Sequence, residues 1–401
     1  MKEYKELPIV IIGQNYSTSL GVIKALGEAG YRCEVAKRVY HHTPRLASPE
    51  LKSRYVDRYE YIVTGDDGLM VEKIISGFSD VSAKKILIPT DDYSTALIDR
   101  NQEEFSRHFI VPNAKGPYGS ASSLMDKHYQ KQIVRQFGIM AVDTSVVDCR
   151  TKETIVIPDT ITYPCFIKPL ASAGHSKSLI QKCYSKGELQ KALFDIADSN
   201  GCQMLVEKYV DIEREYTIPG MAINGQVEIV ALFEKSKTGS GNHKGVTICG
   251  KVVPANICPS VIEKLKDLIK GIGFQGIFDI ELLYSNGKYF FNELNLRNGA
   301  AGYALTHSGL NLPALYVDAL LGKTIQWGNL LSNLKFGKTF VNEKAALDYY
   351  LAGYCSFSEF VRTIRRADIR FITTSNDFKP FLYFLRLIIL SVISRYKNKL
   401  I

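Results

Sequence analysis

The sequence predicts a mixed α/β (α+β) fold in more than one domain, and three observations predict it. Short apolar strands alternate with helical stretches over roughly the first hundred residues, a β-hairpin with an acidic face spans Ile277 to Gly299, and positive charge gathers toward the end of the chain. At 401 residues there is room for two or three domains with real cores, and 46% hydrophobic with 23% charged residues is ordinary globular composition.

The N-terminal stretch reads as a Rossmann-like unit. PIVIIG, from Pro8, is a short buried strand, TSLGVIKALGEAG from Thr18 is helical with Gly30 as its stop, and YRCEVAKR is a second strand. MKEYKELPIVIIG has only a brief apolar run before a glycine turn, which makes it a first strand and not a signal peptide. KKILIPTDDYSTALI is a further strand-to-helix junction, ending at Pro89 before Thr90, Asp91 and Asp92. Ligands bind at the carboxyl ends of strands in such folds, so the turns at Gln14 to Ser17 and Thr90 to Tyr93 are expected to line a substrate side. The alternative is that Asp91 or Asp92 merely caps a helix. Gly13 and Gly21 lack the G-x-G-x-x-G spacing, which argues against a dinucleotide site. The eight cysteines are scattered with no C-x-x-C pair, as expected for reduced thiols in a cytoplasmic protein and against a disulfide framework or structural zinc.

The hairpin carries the chemistry. Asn286-Gly287 sits between two alternating apolar runs, and on the arms Asp279, Glu281, Glu293, Asn295 and Arg297 have odd numbers. Ile280, Leu282, Phe290, Leu294 and Leu296 have even ones. Side chains alternate faces along a strand, so a three-residue bulged loop with left-handed Gly287 puts the odd residues of both arms on one face. A strictly two-residue turn would put Glu281 and Glu293 on opposite faces. In the bulged form two carboxylates and an amide oxygen stand beside an arginine, a set suited to Mg²⁺ (or Mn²⁺) with phosphate. Taken alone, such a hairpin more often presents a solvated polar face.

These residues carry a resemblance. Glu281, Glu293, Asn295 and Arg297 form E-x11-E-x-N-x-R after a GxxGxFDxE-like lead from Gly273, which resembles the metal-binding end of the ATP-grasp superfamily. ILIPTDDYSTALI from Ile86, MDKHYQKQIVRQFGI from Met125 and NELNLRNGAAGYALTHSGLNLP from Asn292 are similar to carboxylate-amine ligases of the D-aspartate ligase type. The resemblance runs from about Pro8 to about Gly322 and fades after Lys323. It implies ATP and Mg²⁺ as cofactors and three regions: a pre-ATP-grasp α/β domain over 1–115, an ATP-grasp domain over 116–325 with a flexible small subdomain at about 150–210, and a basic helical extension over 326–401.

It also implies site residues. Lys127 opens an amphipathic helix and on its own would be a solvated residue, but the resemblance sends it to the nucleotide phosphates. Lys168 ends the apolar strand of TYPCFIKP before the small-residue run Ala171 to Ser178, where it would meet the α- and β-phosphates under a loop of N–H donors. The G-x-x-x-x-G-K-[ST] order is missing, so this is not a P-loop, and neighbouring Lys177 reads as solvated. Leu205 to Val210 looks like the strand that receives adenine, its edge read by the backbone of Glu207, Lys208, Tyr209 and Val210, with the Glu207 side chain near the exocyclic amine. Glu215 matches the acid that binds the ribose hydroxyls, with Glu213 competing for that place. A glycine-rich basic loop, Lys235 to Gly245, is expected to cover the phosphates and second substrate.

The implied chemistry starts with a carboxylate oxygen attacking the γ-phosphate of ATP. An amine then attacks the acyl phosphate and expels phosphate. Anions must be brought together, so catalysis is charge neutralisation and positioning: Lys168 and Arg297 act on the transferring group, and Glu281, Glu293 and Asn295 hold the metal. Asn298 to Tyr303 and His307 would border the acceptor pocket, with His307 structural and not a base. The expected function is therefore an ATP-dependent carboxylate-amine ligase with small-molecule substrates, in cell-envelope, polysaccharide or secondary-metabolite synthesis. The alternatives are an ATP-grasp carboxylase or purine-type synthetase, and a nucleotide-binding regulatory protein without turnover.

Charge separates the tail from the body. Residues 335–401 hold 12 Lys+Arg against 5 Asp+Glu, a net +7 of the chain's +9. The body is nearly neutral and has no basic groove with aromatic platforms, so no nucleic acid partner is expected. PFLYFLRLIILSVISRYKNKLI, from Pro380, is apolar over about fifteen residues, short of the roughly twenty that a membrane span needs. It reads either as an interfacial helix on the inner face of a membrane or as a core or homodimer-interface helix.

Overall fold

A computed structural model of the chain describes residues 8–14, 16–40, 48–170, 179–240, 245–374, 376–386 and 389, and the statements below concern these. Among them, three sheets make the fold. Strands β1 (Ile9–Gly13), β2 (Cys33–Val39), β3 (Val56–Val63), β4 (Lys85–Pro89) and β5 (Phe109–Ile110) pair in parallel in the order β3-β2-β1-β4-β5. Helices α1 (Tyr16–Glu28), α2 (Asp67–Phe78), α3 (Asp92–Arg100) and α4 (Gln102–His108) cover both faces. That explains why β1 is apolar throughout: Val10 and Ile12 enter one core with Ile74 and Phe105, while Ile9 and Ile11 enter another with Ile23 and Leu26. Strand order reverses between β1 and β4, whose carboxyl ends open a crevice.

A short strand β6 (Asn113–Ala114) and helix α5 (Lys127–Gln136) lead into a four-stranded sheet of β7 (Thr144–Asp148), β8 (Cys165–Pro169), β9 (Gln181–Cys183) and β10 (Gln203–Lys208). Helix α6 (Lys186–Asn200) covers one face of it, its Leu189 and Leu193 packed with Ile167, Met204 and Val206. The largest sheet contains β11 (Arg214–Ile223), β12 (Gln226–Glu228), β13 (Ala231–Thr238) and β14 (Thr247–Pro254), then, after helix α7 (Pro259–Gly271), β15 (Phe274–Ser285) and β16 (Lys288–Asn295). All eight cysteines are free thiols.

β15 and β16 form the expected hairpin, but its turn corrects the sequence reading. Ser285 pairs with Lys288 across a two-residue turn in which Asn286 and Gly287 have φ of 49° and 75°. Positive φ at both positions is the I′ geometry that Asn-Gly adopts readily, so no third loop residue is needed. The extra residue lies further on, at Asn292: Leu282 faces Phe291, while the next residue back, Glu281, faces Glu293. That bulge shifts the register by one and brings Glu281 and Glu293 to one face. It also places Phe291 in the apolar back where Phe290 was expected; Phe290 pairs instead with Leu283. Ile280, Leu282, Phe291, Leu294 and Leu296 are buried in one core. Each contributes about 1.5–3 kcal/mol by burial, which anchors the acidic face above.

Helices α8 (Gly302–His307), α9 (Leu312–Leu320) and α10 (Trp327–Ser332) follow, and then the chain adds to the large sheet. β17 (Thr339–Val341) pairs with β14, and β18 (Ile369–Arg370) pairs with β17, on either side of helices α11 (Glu343–Leu351) and α12 (Phe357–Arg366). The region after Lys323 is therefore part of the sheet as well as the helical extension expected of it. It is also tied to the first unit. The buried Lys24 Nζ donates to the Phe371 and Ile372 carbonyls at 3.0 and 3.1 Å, and Asp377 accepts from Ser53 Oγ at 2.6 Å and the Arg54 N–H at 3.0 Å. Residues 379–386 are helical, with Phe381 and Phe384 packed inward and Leu382 and Leu385 exposed. Among the described residues no helix is long and apolar enough to cross a membrane. Most of the tail sequence after Arg386 lies outside the described residues.

Candidate active site

A cleft of about 380 Å³ is lined by residues from the small and the largest sheets and from α3 and α5. Lys127, Lys168, Glu207, Lys208, Tyr209, Val210, Glu215, Glu281, Glu293, Asn295 and Arg297 all line it, so every residue that the resemblance assigns to nucleotide, metal or the transferring group is brought to one place. Asp92, Asn292 and Leu283 join them.

The acidic wall is the odd face of the hairpin. Asp279 lies opposite Asn295 and Glu281 opposite Glu293. Lys235 Nζ stands 3.1 Å from Glu281 and 3.6 Å from Glu215. Burial works against its charge, but the two carboxylates outweigh burial and its pKa is raised. Sequence reading had placed Lys235 in a loop, whereas β13 runs on to Thr238, paired with β14 through an irregular register at Lys237. Lys127 Nζ lies 3.8 Å from Glu293. Asp126 caps α5 by accepting the Tyr129 N–H at 2.9 Å, which fixes Lys127 in the first turn. A cation is disfavoured there by the helix dipole, and the carboxylate opposite offsets this.

Arg297 reaches the first unit. Its Nε donates to Asp92 Oδ1 at 2.8 Å and a terminal nitrogen donates to Asn295 Oδ1 at 3.1 Å. The two adjacent aspartates divide the roles left open in the sequence: Asp91 caps α3, accepting the Ser94 N–H at 2.8 Å and the Gln14 N–H, while Asp92 faces the cleft. Behind them Asp279 is buried, and burial together with Glu281 pushes its carboxyl up to about 7. Gly299 is required beside it, since a Cβ there would lie 1.5 Å from Asp279 Oδ2.

At the other end Lys168 Nζ donates to Asn292 Oδ1 at 3.1 Å and lies 3.2 Å from Glu207. Asn292 Nδ2 donates in turn to Glu281 Oε2 at 3.2 Å, so the bulge residue links the two ends of the cleft. The Glu207 carboxylate is held between Lys168 and the fully buried Lys131, where sequence reading had it facing a nucleobase. Lys208 and Tyr209 spend their N–H groups on the carbonyls of Asp143 and Pro164, at 3.0 and 3.1 Å. Glu213 accepts the Asn286 N–H at 2.6 Å, which leaves Glu215 as the acid of that pair in the cleft. Asn298 to Tyr303 do not border this cleft, and five of the six are buried. His307 Nε2 sits 2.8 Å from Tyr303 Oη and 3.3 Å from Glu28. The run Ala171 to Ser178, with Lys177, and residues 241–244 of the glycine-rich loop lie outside the described residues.

Lys131, Asn292 and the strand position of Lys235 escaped sequence reasoning. Lys131 lies four residues after Lys127 and so on the same helix face, the one signal that pointed to it. Among the described residues no group of three His, Cys, Asp or Glu side chains gathers as an all-protein metal cage. Two carboxylates and an amide oxygen are the smaller set that suits Mg²⁺, which keeps water and phosphate oxygens as further ligands.

The geometry agrees with what the chain is similar to. The ATP-grasp domain model matches residues 132–310, which takes in Lys168, Glu207, Glu215, Glu281, Glu293, Asn295 and Arg297 but not Asp92, Lys127 or Lys131. Formate-dependent phosphoribosylglycinamide formyltransferase of Bacillus velezensis is 29% identical over 300 residues, covering 72% of this chain and 71% of that protein. The protein of the same name from Wolinella succinogenes is 24% identical over 313 residues, covering 72% and 74%. Among solved structures, N5-carboxyaminoimidazole synthetase of Staphylococcus aureus has a TM-score of 0.61 at 17% identity, over 88% of this chain and 86% of that one. L-amino acid ligase of Bacillus licheniformis has a TM-score of 0.59 at 15% identity, over 84% and 79%. Residues 132–310 of the chain are an ATP-grasp domain.

Proposed function

We propose that this protein is an ATP- and Mg²⁺-dependent ligase that joins a small-molecule carboxylate to an amine through an acyl phosphate and releases ADP. The observation that carries the proposal is the charge arrangement of one cleft, in which Lys127, Lys168 and Arg297 share a volume with Glu281, Glu293 and Asn295. Lys127 and Lys168 bind the phosphates of ATP, Val210 offers its N–H to adenine, and Glu215 accepts from the ribose hydroxyls. Glu281, Glu293 and Asn295 would hold Mg²⁺, which supplies charge neutralisation at the β- and γ-phosphates. Arg297, oriented by Asp92 and Asn295, faces the transferring phosphoryl group. The carboxylate oxygen takes the γ-phosphoryl with ADP as leaving group. The amine nitrogen then bonds to the acyl carbon, expels phosphate and gives up a proton.

The relatives' name couples formate, a carboxylate, to a glycinamide, which supports this substrate class. Nothing in the comparisons supports a cell-envelope setting. Substrates are sought by measuring ADP release with paired carboxylates and amines. ADP that needs both partners supports the proposal; ADP with bicarbonate as the carboxylate favours a carboxylase; ATP binding without turnover across the screen favours a regulatory protein.

Peripheral contact with an anionic membrane belongs to the same proposal. Phe378, Leu382, Leu385 and Ile389 are 46%, 54%, 41% and 51% exposed, at a spacing that makes one stripe on a helix. Lys379 and Arg386 flank it, and Lys52 lies over the Tyr383 ring beside it. A homodimer interface is the competing use of that stripe.

A further inference from the structure

We propose that Lys131 is a positioning residue for ATP, holding the Glu207 charge so that Lys168 is free to turn to the nucleotide phosphates. This deepens the function proposed above and rests on its assignment of Lys168 to phosphate. Lys131 is 0% exposed and is not among the residues that line the cleft, so it does not itself meet the nucleotide. Its ammonium is paired with Glu207 Oε1, the same oxygen that lies 3.2 Å from Lys168 Nζ. Burial lowers the Lys131 pKa to about 8, which leaves it charged at neutral pH.

Two lysines therefore share one buried carboxylate, and the cluster carries one positive charge more than it needs. Glu207 is 6% exposed. If Lys168 were its sole partner, each turn of Lys168 toward a phosphate would strand a buried carboxylate, and breaking a buried pair from one side is costly. With Lys131 in place the remaining pair is neutral, and the spare charge on Lys168 is available to an anion. The Lys168 ammonium already donates to a neutral acceptor, Asn292 Oδ1 at 3.1 Å, on the side of the metal-binding face.

The test is calorimetric titration of the full chain with Mg-ATP, comparing wild type, Lys131→Met, Glu207→Gln, the double variant Lys131→Met/Glu207→Gln, and Lys168→Ala. Lys131→Met is expected to raise the Kd for ATP by about 10–100-fold. The double variant is expected to bind within about threefold of Glu207→Gln, because without the carboxylate Lys131 has nothing to hold. Rescue of this kind is not produced by a merely structural lysine. If Lys131→Met does not fold, the double variant against Glu207→Gln decides alone: equal affinity supports the proposal and weaker binding by the double variant overturns it. Weakened binding by Lys168→Ala with an unchanged Kd for Lys131→Met overturns the assignment of Lys131 only. An unchanged Kd for Lys168→Ala overturns the placement of the phosphates, and this proposal with it.

Discussion

Glu281 and Glu293 face each other across β15 and β16 because Asn292 is one residue more than the ladder accommodates. Without the bulge, the two-residue turn would put Glu293 on the apolar side of the sheet. Both carboxylates are proposed to hold one cation, and on that reading Glu293→Gln is expected to lower ADP formation by about 100-fold or more while the melting temperature stays within a few degrees. Circular dichroism melts and coupled ADP assays on the same preparation measure both. Unchanged ADP formation removes Glu293 from the metal site.

Asp92 joins the first unit to the chemistry through Arg297, at 2.8 Å. Asp92→Asn keeps the shape and removes the charge. It is expected to lower turnover about 10- to 100-fold with the Kd for ATP within about threefold of wild type, since Arg297 is assigned to the transferring group and not to the bound nucleotide. A loss that falls on ATP affinity instead would move Arg297 to the nucleotide side.

Lys24 gives a pH signature unconnected with catalysis. Burial is the largest influence on it and lowers its pKa to about 8 from 10.5, with Asp377 and Glu343 opposing. Between those values the unfolded chain holds a proton that the folded chain has released, so this group makes stability rise as pH climbs from about 8 toward 10.5. Below pH 8 both states are protonated and the slope vanishes. Denaturant titrations of wild type and Lys24→Met across that range are expected to diverge in this direction only, and parallel curves would contradict it.

The exposed stripe makes a prediction about surfaces. Full-length protein is expected to co-sediment with vesicles containing anionic lipid, more weakly in high salt, and Leu382→Ser/Leu385→Ser is expected to lose most of that binding. Binding that ignores lipid charge, or that survives the double substitution, would count against membrane contact; concentration-dependent self-association lost in the variant would assign the stripe to a dimer.

The sequence made the fold class and the cleft legible, because buried parallel strands and the spacing E-x11-E-x-N-x-R are local patterns. Glu213 and Glu215 could not be separated from sequence, since the choice depends on where the Asn286 N–H of a distant turn lies. The bulge at Asn292 was demanded by the alternation of charges but misplaced, because its position follows from the packing of Phe291 and not from the turn. Lys131 reads as an ordinary surface position of a helix; its burial is created by β10 and is invisible until Glu207 is in place. The strands β17 and β18 are two or three residues long, too brief to leave an alternation in the sequence.

The bonds from Lys24 to Phe371 and Ile372, and from Asp377 back to Ser53 and Arg54, stitch the end of the chain onto its beginning. The first sheet and the largest sheet are thereby clamped as a single frame, with Arg297 and Asp92 as a further rivet on the cleft side. The small sheet of β7 to β10 is latched to that frame by the contacts Lys168 makes with Asn292 and Lys131 makes with Glu207. A nucleotide that draws Lys168 away from Asn292 would release one latch and leave the other shut.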